Sequence, residues 1–124
     1  MNTTLNSNIN SLSSDVDDLA DVTNPTINTL ASSGTIALTC NSANAIAPTG
    51  AVTFTLPTVE DNTKFTQILV QVNLIALYSI DTGTTYFFNG KTPDLSAIGI
   101  YDLIYEYDKQ NAVWVCGAMK KDTV

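Results

Sequence analysis

Gly99-Ile100-Tyr101-Asp102-Leu103-Ile104-Tyr105-Glu106-Tyr107 decides the fold class. Tyr101, Leu103 and Tyr105 alternate with other residues at a period of two, which is the period of a β-strand. The next apolar run, Ala112 to Lys120, follows after Asp108-Lys109-Gln110-Asn111, a polar turn sequence, so the pair predicts a hairpin. Ile100 and Ile104 fall on the second face of the first strand. A free-standing sandwich carries polar residues on its outer faces, so a second apolar face calls for cover by a partner subunit or a place in the middle of a sheet.

On the N-terminal side, Thr35 to Cys40 alternates, with Ile36, Leu38 and Cys40 on one side. Val52, Phe54 and Leu56 alternate with Thr53 and Thr55 until Pro57 ends the run. Phe65 to Leu77 is a long apolar stretch, read as one strand or as two with a bend near Asn73. Thr84 to Phe88 is a short strand ending at the turn dipeptide Asn89-Gly90. Strands at intervals of about ten residues, with no helical period after residue 34, predict a compact β-sandwich or jelly-roll-like head.

The first thirty or so residues differ. They are rich in Asn, Ser, Thr and Asp, with no aromatic residue and no Lys. Their apolar residues are Leu5, Ile9, Leu12, Val16 and Leu19, spaced four, three, four, three. This is the a/d pattern of a heptad, with Leu at d and β-branched residues at a. Poor helix formers fill the rest, so such a helix persists only where partner chains bury the seam. The expected organisation is a helical coiled-coil stalk and linker over 1–30 and an all-β head over 31–124. The five heptad residues are the expected oligomer interface of the stalk, as a trimer or a dimer.

Composition bounds the chemistry. The 124 residues carry a net charge of −7, with five Lys and neither Arg nor His. That excludes the basic stripe from which nucleic-acid binders draw most of their affinity. No apolar run nears the roughly 20 residues of a membrane-spanning helix, so no membrane insertion is expected. Without His the commonest general base and metal ligand is absent. Cys40 and Cys116 are too few for a disulfide framework or a structural zinc site, and both read as small buried hydrophobes. Asp102 and Glu106 share a strand face, but four residues of strand separate them by roughly 13 Å. A glycosidase pair needs about 5–9.5 Å. Neither catalysis nor a metal or other cofactor is expected.

Tyr86-Phe87-Phe88 points aromatics to both faces of a short strand. Tyr86 and Phe87 are therefore candidates for a subunit interface or a receptor contact. Trp114, between Val113 and Val115, reads as core.

Over residues 50–120 the chain resembles small bacteriophage virion fibre proteins of the head-fibre or tail-fibre type. The likeness rests on Val52-Thr53-Phe54-Thr55-Leu56-Pro57-Thr58 and the polar loop through Asp61-Asn62-Thr63-Lys64-Phe65. It continues in the Gly99–Tyr107 segment and in Trp114-Val115-Cys116-Gly117-Ala118. The resemblance implies a homotrimer on the virion surface, synthesised in the host cytoplasm, with a stalk and a C-terminal β head. Its partners would be capsid or tail proteins and a host-surface glycan. A monomeric β-sandwich that binds carbohydrate or protein is the alternative.

Overall fold

A computed structural model describes residues 26–61 and 63–121. Nine strands make up a mainly β fold: β1 (Ile27–Thr29), β2 (Gly34–Ala37), β3 (Ser42–Ile46), β4 (Val52–Thr55), β5 (Gln67–Leu74), β6 (Ile80–Asp81), β7 (Tyr86–Phe87), β8 (Gly99–Asp108) and β9 (Val113–Lys121). They form a six-stranded sheet in the order β1-β3-β5-β8-β9-β7 and a three-stranded sheet in the order β2-β4-β6.

The first six strands alternate between the sheets, and each of the first four pairs in parallel with the strand two places on. The chain therefore winds three times around one core, giving each sheet one strand per pass. A parallel pair needs a long crossover, and here the crossover is itself a strand of the opposite sheet. β8 and β9 then add as an antiparallel hairpin on β5, and β7 returns to the free side of β9.

The inward residues of both sheets form one cluster. Ile36, Val52 and Phe54 come from the smaller sheet, and Ile68, Val70, Val72, Leu74, Tyr101, Leu103, Tyr105 and Cys116 from the larger. The alternation of the Gly99 segment is thus realised as read, with Tyr101, Leu103 and Tyr105 inside. Polar atoms that enter this core are bonded, since an unpaired buried group costs about 1–3 kcal/mol. The Tyr105 hydroxyl donates to the Thr82 carbonyl at 2.8 Å, and Trp114 Nε1 donates to the Pro57 carbonyl at 3.0 Å. Trp114 is core, edge-on to Tyr107 at 5.4 Å between ring centroids. At the hairpin turn the Asp108 carboxylate accepts from the Gln110 and Asn111 backbone N–H groups, closing the turn that the polar tetrapeptide predicts.

Several expectations need correction. The fold is mainly β and sandwich-like as expected, and the expectation of a sandwich or jelly-roll-like head did not include the parallel winding. β3 has no counterpart in the sequence reading, because Ser-Ala-Asn-Ala-Ile lacks the β-branched and aromatic residues that mark strands. It holds a buried Asn44 whose amide donates to the Leu69 carbonyl at 3.1 Å and to Ser42 Oγ at 3.0 Å. Asn28, its register partner on β1, donates to Asn44 Oδ1 at 3.4 Å. The sheet thus takes in Ile27–Thr29, ahead of the boundary expected at residue 31. Phe65–Leu77 is one strand only over Gln67–Leu74, and Phe65, Ile75 and Leu77 are exposed. The strand expected over Thr84–Phe88 is reduced to Tyr86–Phe87 before a 3-10 turn, Phe88–Gly90.

The two cysteines part company. Cys116 is fully buried, but Cys40 is exposed. Strand pairing stops at Ala37, and the chain reverses at Asn41, whose φ is +55°. The Asn41 carboxamide oxygen accepts the Gln67 N–H at 3.1 Å, so the turn is fixed before Cys40 can take the inward place its alternation suggests. One thiol per folded chain should therefore react rapidly with a disulfide reagent, and the second only on unfolding. Burial pushes the Cys116 thiol up to about 12 from an ordinary 9.0. Below about pH 9 this contribution to stability is complete. As pH rises from there towards 12 the unfolded chain releases the proton while the folded chain keeps it, so stability falls. Urea midpoints measured from pH 8 to 10.5 should drop less steeply in Cys116→Ala than in the wild type; equal slopes would contradict the assignment.

Candidate functional site

The two sheets present very different outer faces. On the three-stranded sheet the outward positions are Thr35, Thr53 and Asp81 in one row and Ala37 and Thr55 in the next. That face is polar or small throughout, as expected of a surface in water. The six-stranded sheet is the opposite. Strand register aligns Ile27, Ala43, Leu69, Ile104 and Gly117 in one row from β1 to β9. Phe88 completes the row from the end of β7: a Cβ on Gly117 would lie 2.7 Å from the Phe88 ring, so the missing side chain is what lets the ring lie there.

The rows on either side are mixed. One runs Thr29, Ala45, Gln71, Asp102, Met119, and the other Gln67, Glu106, Val115, Tyr86. Ile100 stands beyond, opposite Lys121. Ile27, Tyr86, Phe88, Ile100 and Met119 are between 39 and 57% exposed, a concentration of large apolar side chains that a surface facing only water does not need. The face holds little of the chain's net charge of −7. Asp102 is held by Lys121 at 2.9 Å, and the carboxylates of the face without an ion pair among the described residues are Glu106 and, at the hairpin-turn end, Asp108.

The relief is uneven. β3 contributes only alanines to this face, Ala43 and Ala45, between larger residues of β5 and the β1 edge. Two shallow hollows result, one beside Ala43, Leu69 and Ile104 and one beside Ala45, Gln71 and Ile100. Across the sheet, Met119 on β9, Tyr86 on β7 and Phe88 just after it project. A trough thus runs along one side of the face and a ridge along the other.

Of the residues singled out from sequence, Tyr86 lies on this face and Phe87 does not. Tyr86 pairs with Val115 and is 54% exposed, whereas Phe87 pairs with Cys116 and packs on the core. Leu5, Ile9, Leu12, Val16 and Leu19 lie outside the described residues. The second apolar face of β8 was legible from Ile100 and Ile104. Ala43, Ala45 and Leu69 were not, because their contribution depends on register with strands distant in sequence.

Two further carboxylates are engaged locally. Asp61 accepts from the Thr63 backbone and hydroxyl, which hold its carboxyl below the usual range, and Asp81 caps the Gly83 N–H at 2.9 Å. Among the described residues no three His, Cys, Asp or Glu side chains stand close enough to hold a metal ion. Comparisons with protein-family models, curated proteins and solved structures find no match for this chain.

Proposed function

We propose that this chain is a structural and adhesive fibre protein of a bacteriophage virion, a homotrimer in which a β-sandwich-like head follows a coiled-coil stalk. The observation that carries the reading is the apolar outer face of the six-stranded sheet, set against the polar outer face of its partner. Burying such a face against copies of the same chain removes apolar surface from water at about 25 cal/mol per Å². The heptad spacing of Leu5, Ile9, Leu12, Val16 and Leu19 supports the same association, because its seam also needs partner chains. The role is non-enzymatic and uses no cofactor: the head decorates the capsid or tail and meets the host surface, where a glycan is the expected ligand.

Light scattering behind size exclusion tests this on the full chain. The expected mass is three times the 13.3 kDa of one chain, unchanged on dilution to low micromolar concentration. A monomer at every concentration would remove the fibre reading and leave a monomeric binding module.

A further inference from the structure

We infer that the outer face of the six-stranded sheet docks on a second copy of this chain about an axis parallel to the strands, so that the ridge of one copy enters the trough of the next. The inference rests on the self-assembly proposed above and adds the atoms that meet. The trough over Ala43 and Ala45 lies towards β1, and the ridge of Met119, Tyr86 and Phe88 lies at the β9 and β7 side of the same face. Rotation about an axis running along the strands reverses left and right across the sheet, which brings ridge over trough. Rotation about an axis perpendicular to the strands and within the face leaves left and right in place, so ridge would meet ridge and the hollows would stay empty.

Two further observations agree with the first choice. The face carries three carboxylates, Asp102, Glu106 and Asp108, and one lysine, Lys121, 1 − 3 = −2, with Asp108 at its hairpin-turn end, so copies of a chain of net charge −7 can approach across its centre without strong repulsion. Rotation about a strand-parallel axis also keeps the strands of every copy pointing the same way. All copies of the segment preceding β1 then leave from the same end of the head, as a parallel stalk built on Leu5 to Leu19 requires. In a closed ring such an axis keeps each row at its own height. Met119 of one copy therefore faces Ala45 of the next, because both belong to the row Thr29–Ala45–Gln71–Asp102–Met119.

The full chain carrying Cys40→Ser, Ala45→Cys and Met119→Cys provides the test. Oxidation with diamide should link nearly all of it between chains, as a closed covalent trimer for a three-fold axis or a closed dimer for a two-fold axis. Neither single cysteine variant should give more than trace linkage. Efficient linkage of Met119→Cys alone would place ridge against ridge and overturn the inference. An oligomer of unchanged mass in which the double variant does not link would put the interface elsewhere, overturning the inference while the fibre reading stands. A wild-type chain that is monomeric would overturn both. Ile104→Glu, at the centre of the apolar row, should shift the oligomer towards monomer at least tenfold in dissociation concentration. If the oligomer tolerates that charge, the face is not the interface.

Discussion

Phe54→Ala should lower the unfolding free energy by about 3–5 kcal/mol, the range for truncating a large aromatic side chain in a packed core. Phe54 sits on the middle strand of the three-stranded sheet and is 1% exposed, in the cluster that joins the two sheets. That sheet has only three short strands: Ile36 is the inward register partner of Phe54 on β2, and β6 is two residues long. Little surrounding structure can close over the cavity, which puts the cost at the upper end of the range. For a domain of this size the melting temperature should fall by more than about 12 °C. Urea titration of the full chain at fixed concentration checks the value, the concentration being held because assembly contributes to apparent stability. A loss below about 1 kcal/mol would mean that the two sheets do not share this core.

Gly83→Ala should cost about 2–4 kcal/mol, from a left-handed backbone and a steric clash together. Gly83 has φ +84°, and a Cβ there would press into the Phe54 carbonyl oxygen. The neighbouring atoms cannot yield freely. The Gly83 N–H donates to Asp81, and the adjacent Thr82 carbonyl accepts the Tyr105 hydroxyl at 2.8 Å. Moving this loop therefore strains a buried hydrogen bond to the six-stranded sheet. Gly34→Ala is the control. Gly34 has a similar φ of +88° with nothing within 4 Å of the added carbon, so only the backbone cost of about 1–2 kcal/mol applies. Equal losses for the two variants would show that close packing at Gly83 contributes nothing.

Both predictions concern contacts that join distant parts of the chain, and there the sequence is least informative. β4, β8 and β9 were legible because local alternation set against polar turns determines them: Val52 and Phe54 go inside, and Tyr101, Leu103 and Tyr105 do the same. β3 was not legible. Its inward Asn44 reads as a surface residue, and only the Leu69 carbonyl, Ser42 and Asn28 make its burial tolerable. Parallel winding was equally hidden. Nothing local in Ile27–Thr29 indicates that it pairs with Ala43–Ala45, since the pairing is set by what the intervening strand packs against. The candidate site shares this division. Ile100 and Ile104 announced a second apolar face, but the row that makes it a surface exists only once six strands are aligned. Cys40 shows the converse error, in which alternation continued on paper past Ala37, where strand pairing stops ahead of the turn at Asn41.

The account turns on whether the outer face of the six-stranded sheet is covered in solution. Hydroxyl-radical footprinting of the full chain measures this residue by residue, as the ratio of labelling in native and denatured protein. Met119 is 57% exposed in the single chain, and Leu77, in the connection that leaves β5 for β6 of the other sheet, is 60% exposed. The account predicts strong protection of Met119, together with Tyr86 and Leu69, while Leu77 labels nearly as fast as in the denatured chain. Met119 labelling in step with Leu77 at concentrations where the chain is assembled would contradict it.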